Sequence, residues 1–251
     1  MEDIRKELAD AMWDFICGFA KDNPFEYPIV KFADAHDAEF ANLKTIAVAD
    51  HYLPSDILSG AKSVMSFALP IEREVALRNK NPGLASKEWA DVYLLAGEIS
   101  EALYPHIAEF FRARGFCAVP PQNAGMIAER AVSRWSQRHV AWIAGHGTFG
   151  LNNMLISDVG SVVRYYSMIT DMPIDPDRRP NEERCLYKQN RSCGLCVKRC
   201  TAGALTKEGF DRFKCLAACL ANQDVFGADV CGKCIVDVPC SFAGRAKSHI
   251  R

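Results

Sequence analysis

Eleven cysteines stand among the 251 residues, and nine of them, at 185, 193, 196, 200, 215, 219, 231, 234 and 240, fall within 56 residues. Their pattern is Cys185-x7-Cys193-x2-Cys196-x3-Cys200, then Cys215-x3-Cys219, then Cys231-x2-Cys234-x5-Cys240. In a reduced compartment such a cluster points to metal rather than to disulfides. A C-x2-C pair on a tight turn supplies two thiolates at the separation an iron–sulfur cube needs, and a more distant cysteine closes the site. In two-cluster ferredoxins the last cysteine of a run serves the other cluster. That rule joins Cys185, Cys193 and Cys196 to Cys240 in one [4Fe–4S] site and gives Cys200, Cys215, Cys231 and Cys234 to a second, with Cys219 a spare for Cys215. The bacterial ferredoxin run is not followed throughout: Asn190 stands at its first cysteine position, and Thr201 and Ser241 replace its prolines. Zinc in two sites of four thiolates is the competing reading, because C-x2-C pairs also build zinc ribbons. The run C-x2-C-x3-C leading into the small residues Thr201-Ala-Gly-Ala204 favours iron–sulfur. Cys17 and Cys117 lie in apolar surroundings that predict buried, unreactive thiols.

A second chemical pattern is Gly145-His-Gly147-Thr-Phe-Gly150, the G-x-G-x-x-G of dinucleotide-binding turns. Such a turn follows a strand and opens a long helix. Here an amphipathic helical stretch precedes it, and Asn152, Asn153 and Asp158-Val-Gly160 interrupt the residues after it, so a nicotinamide or flavin is not expected. Glycines also let backbone approach a large flat cofactor, with Thr148, Asn152, Asn153 and Ser161 as nearby polar groups. Each of these is equally an ordinary turn or capping residue.

The elements that must position these groups can be read from periodicity. Apolar residues at helical spacing predict helices over 2–21, 86–114 (kinked or divided at Pro105) and 125–143. Apolar runs bounded by turns predict strands over 62–70, 117–120 and 159–172. Helices interleaved with short strands make an α/β (α+β) layer fold. Three prolines and eight charges in 171–184 break the pattern and divide a domain 1–175 from a small cysteine-rich domain 176–251. With 30 Lys+Arg against 31 Asp+Glu, nothing pulls the whole chain toward nucleic acid or membrane, although residues 185–251 carry a balance of +6. No run approaches the ~18 apolar residues of a spanning helix, and the acid-studded N-terminus lacks a secretory core, so a cytoplasmic location is expected.

Ser136-Gln-Arg-His-Val-Ala-Trp-Ile-Ala-Gly-His-Gly-Thr-Phe-Gly-Leu-Asn152, then Gly160-Ser-Val-Val-Arg164 and Ile169-Thr-Asp-Met-Pro173, followed by the cysteine run, resembles the epoxyqueuosine reductase and reductive dehalogenase superfamily. The resemblance implies a nitroreductase-like mixed sheet with flanking helices, followed by a two-cluster ferredoxin-like domain. It implies two [4Fe–4S] clusters that pass single electrons to a cobalamin lined by Gly145, His146, Gly147, Thr148, Asn152, Asn153 and Ser161. The implied partners are a ferredoxin- or flavodoxin-type electron donor and a small-molecule or corrinoid substrate. His146 stands where the family has Leu and is a candidate cobalt ligand or proton donor. The family's proton-donating Asp is replaced by Ala131 or Asn123, depending on the alignment. The chain also ends soon after the cysteines, short of the helical repeats of tRNA-acting members, so nucleic acid is not favoured. A non-catalytic corrinoid carrier and a ferredoxin-like electron carrier are the alternative expectations.

Overall fold

The computed structural model describes residues 3–122 and 125–242. Helix α1 (Ile4–Phe19) is capped by Asp3, whose side chain accepts the Arg5 N–H at 3.1 Å, and it buries one stripe, Leu8, Ala9, Met12 and Ile16. Strand β1 (Ile29–Asp34) is followed by α2 (Ala38–Ile46), the short α3 (Pro54–Ile57) and β2 (Ser63–Pro70). Then come α4 (Arg73–Arg78), α5 (Lys87–Arg112), the two-residue strands β3 (Ala118–Val119), β4 (Met126–Ile127) and β5 (Val132–Ser133), and α6 (Gln137–Ile143). A hairpin of β6 (Gly147–Phe149) and β7 (Leu155–Ser157) leads to β8 (Val163–Thr170), and α7 (Leu186–Asn190), α8 (Leu195–Arg199) and α9 (Arg212–Phe226) complete the fold.

The main sheet has the order β1-β2-β8-β3. β1 pairs antiparallel with β2, Ile29 opposite Ala68, and β3 pairs antiparallel with β8. The Lys62 N–H bonds to Thr170 O at 2.9 Å and the Ile71 N–H to Val162 O at 3.1 Å, so β2 and β8 are antiparallel as well. The fold is α+β, and within the expected nitroreductase-like sheet the described pairings run antiparallel, β1 with β2 included although α2 and α3 stand between them in the chain. Burial is complete along β2 and nearly so along β8, which explains why both read as apolar runs rather than alternations.

Residues 125–143 were expected to form one helix, and only Gln137–Ile143 does. Ala131 adopts a left-handed backbone (φ 49°) between β4 and β5. Trp135 is buried, its indole N–H bonded to Ser167 Oγ at 2.9 Å, which draws the chain inward before α6 can start. Pro105 lies inside α5 without dividing it; the helix runs 26 residues. Cys17 and Cys117, expected to be buried, are exposed. Cys17 follows Ile16 on α1 and so falls about 100° beyond the buried stripe, while Cys117 precedes β3 with its backbone bonded to Asp171 and Thr170.

The chain divides into two compact units, each assembled from separated stretches. The first is Met1–Leu69, Gly97–His146 and Arg164–Arg179; its core includes Phe40, Leu43, Val64, Trp135, Val140 and Ile169. The second is Pro70–Ala96, Gly147–Val163 and Pro180–Arg251, so two earlier stretches join the cysteine-rich segment.

Candidate metal centre

All eleven cysteines are free thiols. Four of them, Cys185, Cys193, Cys196 and Cys240, line a single cavity of about 170 Å³ within the second unit. Short local structure aims them: Cys185 caps α7, Cys193 lies in the turn before α8, Cys196 sits on α8 and Cys240 follows Pro239. Burial pushes the Cys196 thiol up to about 11, and its neighbours Cys240, Cys185 and Cys193 push the same way. Burial also raises Cys240, while the Ser161 hydroxyl, donating to its sulfur at 3.9 Å, favours the thiolate. The backbone N–H of Leu151 donates to Cys185 Sγ at 3.4 Å. A bound cation would favour the thiolates of Cys196 and Cys240, which burial holds in the thiol form.

Five others, Cys200, Cys215, Cys219, Cys231 and Cys234, gather in a second group. Burial raises the Cys231 and Cys234 thiols, and Cys215 and Cys200 act on both. The Cys219 thiol hydrogen-bonds to Cys215, and that bond, with burial, raises it strongly. The two candidates for one ligand position therefore lie side by side. Among the described residues, no three His, Cys, Asp or Glu side chains converge on a point where one metal ion would sit.

Residues that spacing alone did not single out hold this second group. A Cβ on Gly232 would fall 2.5 Å from Trp89 Nε1, so the Cys231–Cys234 turn packs directly on the indole. Trp89 is 4% exposed, and its N–H has no partner among the described residues. A buried donor without a partner beside gathered sulfurs suits an acceptor supplied by a bound cluster. Lys233, 2% exposed, donates to Asn79 O at 3.1 Å and Oδ1 at 2.8 Å, while Asn79 Nδ2 donates to Cys231 O at 2.8 Å. Burial lowers the Lys233 pKa and Cys231 opposes that shift. Lys233 could have been suspected from its place inside a C-x2-C pair; Asn79 and Trp89, more than 140 residues away, carry no such signal.

No family model matches the chain. It is 27% identical over 210 residues to an epoxyqueuosine reductase of Bacillus anthracis, a match covering 80% of this chain and 51% of that one. The solved epoxyqueuosine reductase of Bacillus subtilis shares its fold with a TM-score of 0.56 at 19% identity, over 96% of this chain and 68% of that one. Over most of its length the chain is thus similar in sequence and in fold to epoxyqueuosine reductases. It spans about half the length of the curated superfamily relatives it matches. Another neighbour, an epoxyqueuosine reductase solved with a tRNA-Tyr stem loop, gives a TM-score of 0.53 at 20% identity, over 86% of this chain and 56% of that one. Among the described residues no helix is long and apolar enough to cross a membrane.

The residues that superfamily resemblance assigned to a corrinoid bond to the chain itself. A Cβ at Gly145 would meet Arg178 O at 2.6 Å, and one at Gly147 would meet Ile156 O at 2.1 Å. Those glycines make room for backbone. His146 is 1% exposed, with Nε2 3.2 Å from Ser66 O and its ring edge-on to Tyr165. Thr148 Oγ1 donates to Glu183 at 3.3 Å and accepts the Arg184 N–H at 3.0 Å. Asn152 Nδ2 donates to Cys234 O at 3.0 Å, its Oδ1 accepts from Met154, and Ser161 bonds to Cys240; only Asn153, in a left-handed turn (φ 56°), is exposed. Thr148, Asn152 and Ser161 thus brace the cysteine-rich segment, and their polar atoms are engaged. Of the positions matched to the family's acid, Ala131 is the left-handed turn residue, and Asn123 lies outside the described residues. In the first unit the buried Ser66 Oγ and Tyr166 Oη have no hydrogen-bond partner among the described residues.

Proposed function

We propose that the second unit holds two [4Fe–4S] clusters, one on Cys185, Cys193, Cys196 and Cys240 and one on Cys200, Cys215, Cys231 and Cys234, in a cytoplasmic protein of reductase type. The observation that carries this reading is the set of four thiols around one cavity. Zinc needs four donors about 2.3 Å from one point, and the described side chains do not converge in that way. Sulfurs spread around a void suit a polynuclear cube instead. The clusters would supply single electrons, received from a ferredoxin- or flavodoxin-type donor. The chain's own part is to exclude water and to hold the ligand cysteines, Leu151 and Ser161 donating to the sulfurs of Cys185 and Cys240 and Asn152 to the Cys234 carbonyl.

The electron acceptor is a cobalamin by family analogy, with a small organic molecule as the substrate; the stem loop in one neighbour makes RNA a further candidate. The engaged state of Gly145, Gly147, Thr148, Asn152 and Ser161 does not fit a corrinoid pocket built on those residues, and it favours a second reading, an electron carrier whose first unit binds a protein. Among the described residues of the first unit, the buried Ser66 Oγ and Tyr166 Oη have no hydrogen-bond partner and could serve a ligand. Anaerobically purified protein should carry about eight iron atoms per chain and give an EPR signal on reduction. Cys196→Ala should lose about half that iron, and Cys17→Ser none; zinc with little iron defeats the proposal. Titration with cobalamin, followed by its visible bands, separates the two readings of the acceptor.

A further inference from the structure

We propose that the outer face of residues 185–200 is the docking surface for an acidic one-electron carrier protein; this rests on the iron–sulfur reading and adds where electrons enter. The segment walls the cavity lined by Cys185, Cys193 and Cys196, with Leu186, Tyr187 and Gly194 contributing to the wall. It exposes two large apolar side chains, Leu186 at 41% and Leu195 at 42%. It also carries four cations, Lys188, Arg191, Lys198 and Arg199, and no acid. Arg199 turns inward toward Lys233 O, and Lys188 is tethered to Phe149 O at 2.6 Å, whereas Arg191 and Lys198 are exposed, Arg191 with its guanidinium over the Tyr187 ring. The exposed Phe213 and Val225 of α9 share their helix and its cap with Asp224 and Asp211, so that face lacks a single sign of charge.

Although Arg199 is paired with Asp237 at 3.5 Å, exposed apolar side chains and the exposed cations Arg191 and Lys198 in one segment match the small, weakly bound interfaces of electron-transfer partners, where charge speeds encounter more than it adds affinity. Placed over the cavity, this face brings a carrier's redox group to the segment that carries Cys185, Cys193 and Cys196. One electron leaves the reduced carrier and one enters the cluster; no proton or group needs to move.

The test uses the anaerobic holoprotein, with iron content and EPR signal measured first, mixed with reduced flavodoxin in a stopped-flow instrument. Arg191→Glu and Lys198→Glu together should slow the second-order reduction at least about tenfold at low salt and flatten its salt dependence. Lys44→Glu, at an exposed position of α2, should change neither, and photoreduction by a deazaflavin should be the same in all three proteins. Equal rates in the double variant and the wild type, or equal slowing by Lys44→Glu, overturn the proposal. So does a double variant that keeps its rate with flavodoxin but loses binding of an RNA stem loop, which would assign the face to nucleic acid. Wild-type protein without iron removes the iron–sulfur reading and this proposal with it, before any mixing is done.

Discussion

Ser161 reaches Cys240 twice, through its backbone N–H to the carbonyl at 2.9 Å and through its hydroxyl to the sulfur at 3.9 Å. A donor to a ligand sulfur stabilises the more negative, reduced state of a cluster, so its loss lowers the reduction potential. On the proposed two-cluster reading, Ser161→Ala should shift one cluster potential downward by on the order of 20–60 mV, the equivalent of one hydrogen bond, and leave the iron content unchanged. Redox titration followed by EPR reads both quantities; a purely structural role would cost iron and leave the potential of the remaining cluster where it was. The sequence marks Ser161 as a polar residue near a cofactor without showing its bond to Cys240, because a serine's partner is not encoded in its neighbours. The gathering of the cysteines was more legible, since thiols on tight turns with short, fixed spacings stay close together. Trp89 and Asn79 were not legible at all, because contact with the Cys231–Cys234 turn is a tertiary event.

Helix α6 shows how tertiary contacts override local periodicity. Its first N–H, from Ser136, is accepted by Nε2 of buried His51, and Ser136 Oγ lies 2.8 Å from His139 Nδ1. Asp50 ties Arg130 and Arg134 together just before it, and the two guanidiniums hold its carboxyl well below the usual range. These contacts end the helical pattern expected over 125–143, whereas α1, α5, β2 and β8 lie where long, uninterrupted apolar patterns put them. Burial lowers His139 to about 4 and lowers His51 as well. Both are neutral when folded, so the unfolded chain binds more protons below the ordinary histidine range. Stability from this pair is fully present above about pH 6.5 and declines as the pH falls toward 4. The thermal midpoint should drop across that window, and His139→Asn should shrink the drop relative to wild type in parallel scans.

At the scale of the whole molecule, the second unit is held by bonds between distant stretches of chain. Asn222 accepts the Ala85 N–H at 2.6 Å, Asn79 bonds to Cys231, and Gly160 leaves room for Ser241 O, which a Cβ would meet at 2.2 Å. Metal binding and folding are coupled in such sites. Removing the iron should accelerate amide hydrogen exchange in 70–96 and 147–163 as well as in the cysteine-rich stretch, while β2 and β8 stay protected; mass spectrometry of apo and holo protein compares them. Equal protection in both states would count against metal-coupled folding.

Gly232 on Trp89 has a practical consequence for engineering. A graft cut at residue 176 would arrive in a new host without its indole lid, without the asparagine that clasps Cys231 and without the hairpin that braces Cys185 and Cys234. The cysteines are no portable cassette, and transplanting them means carrying three pieces of the gene together.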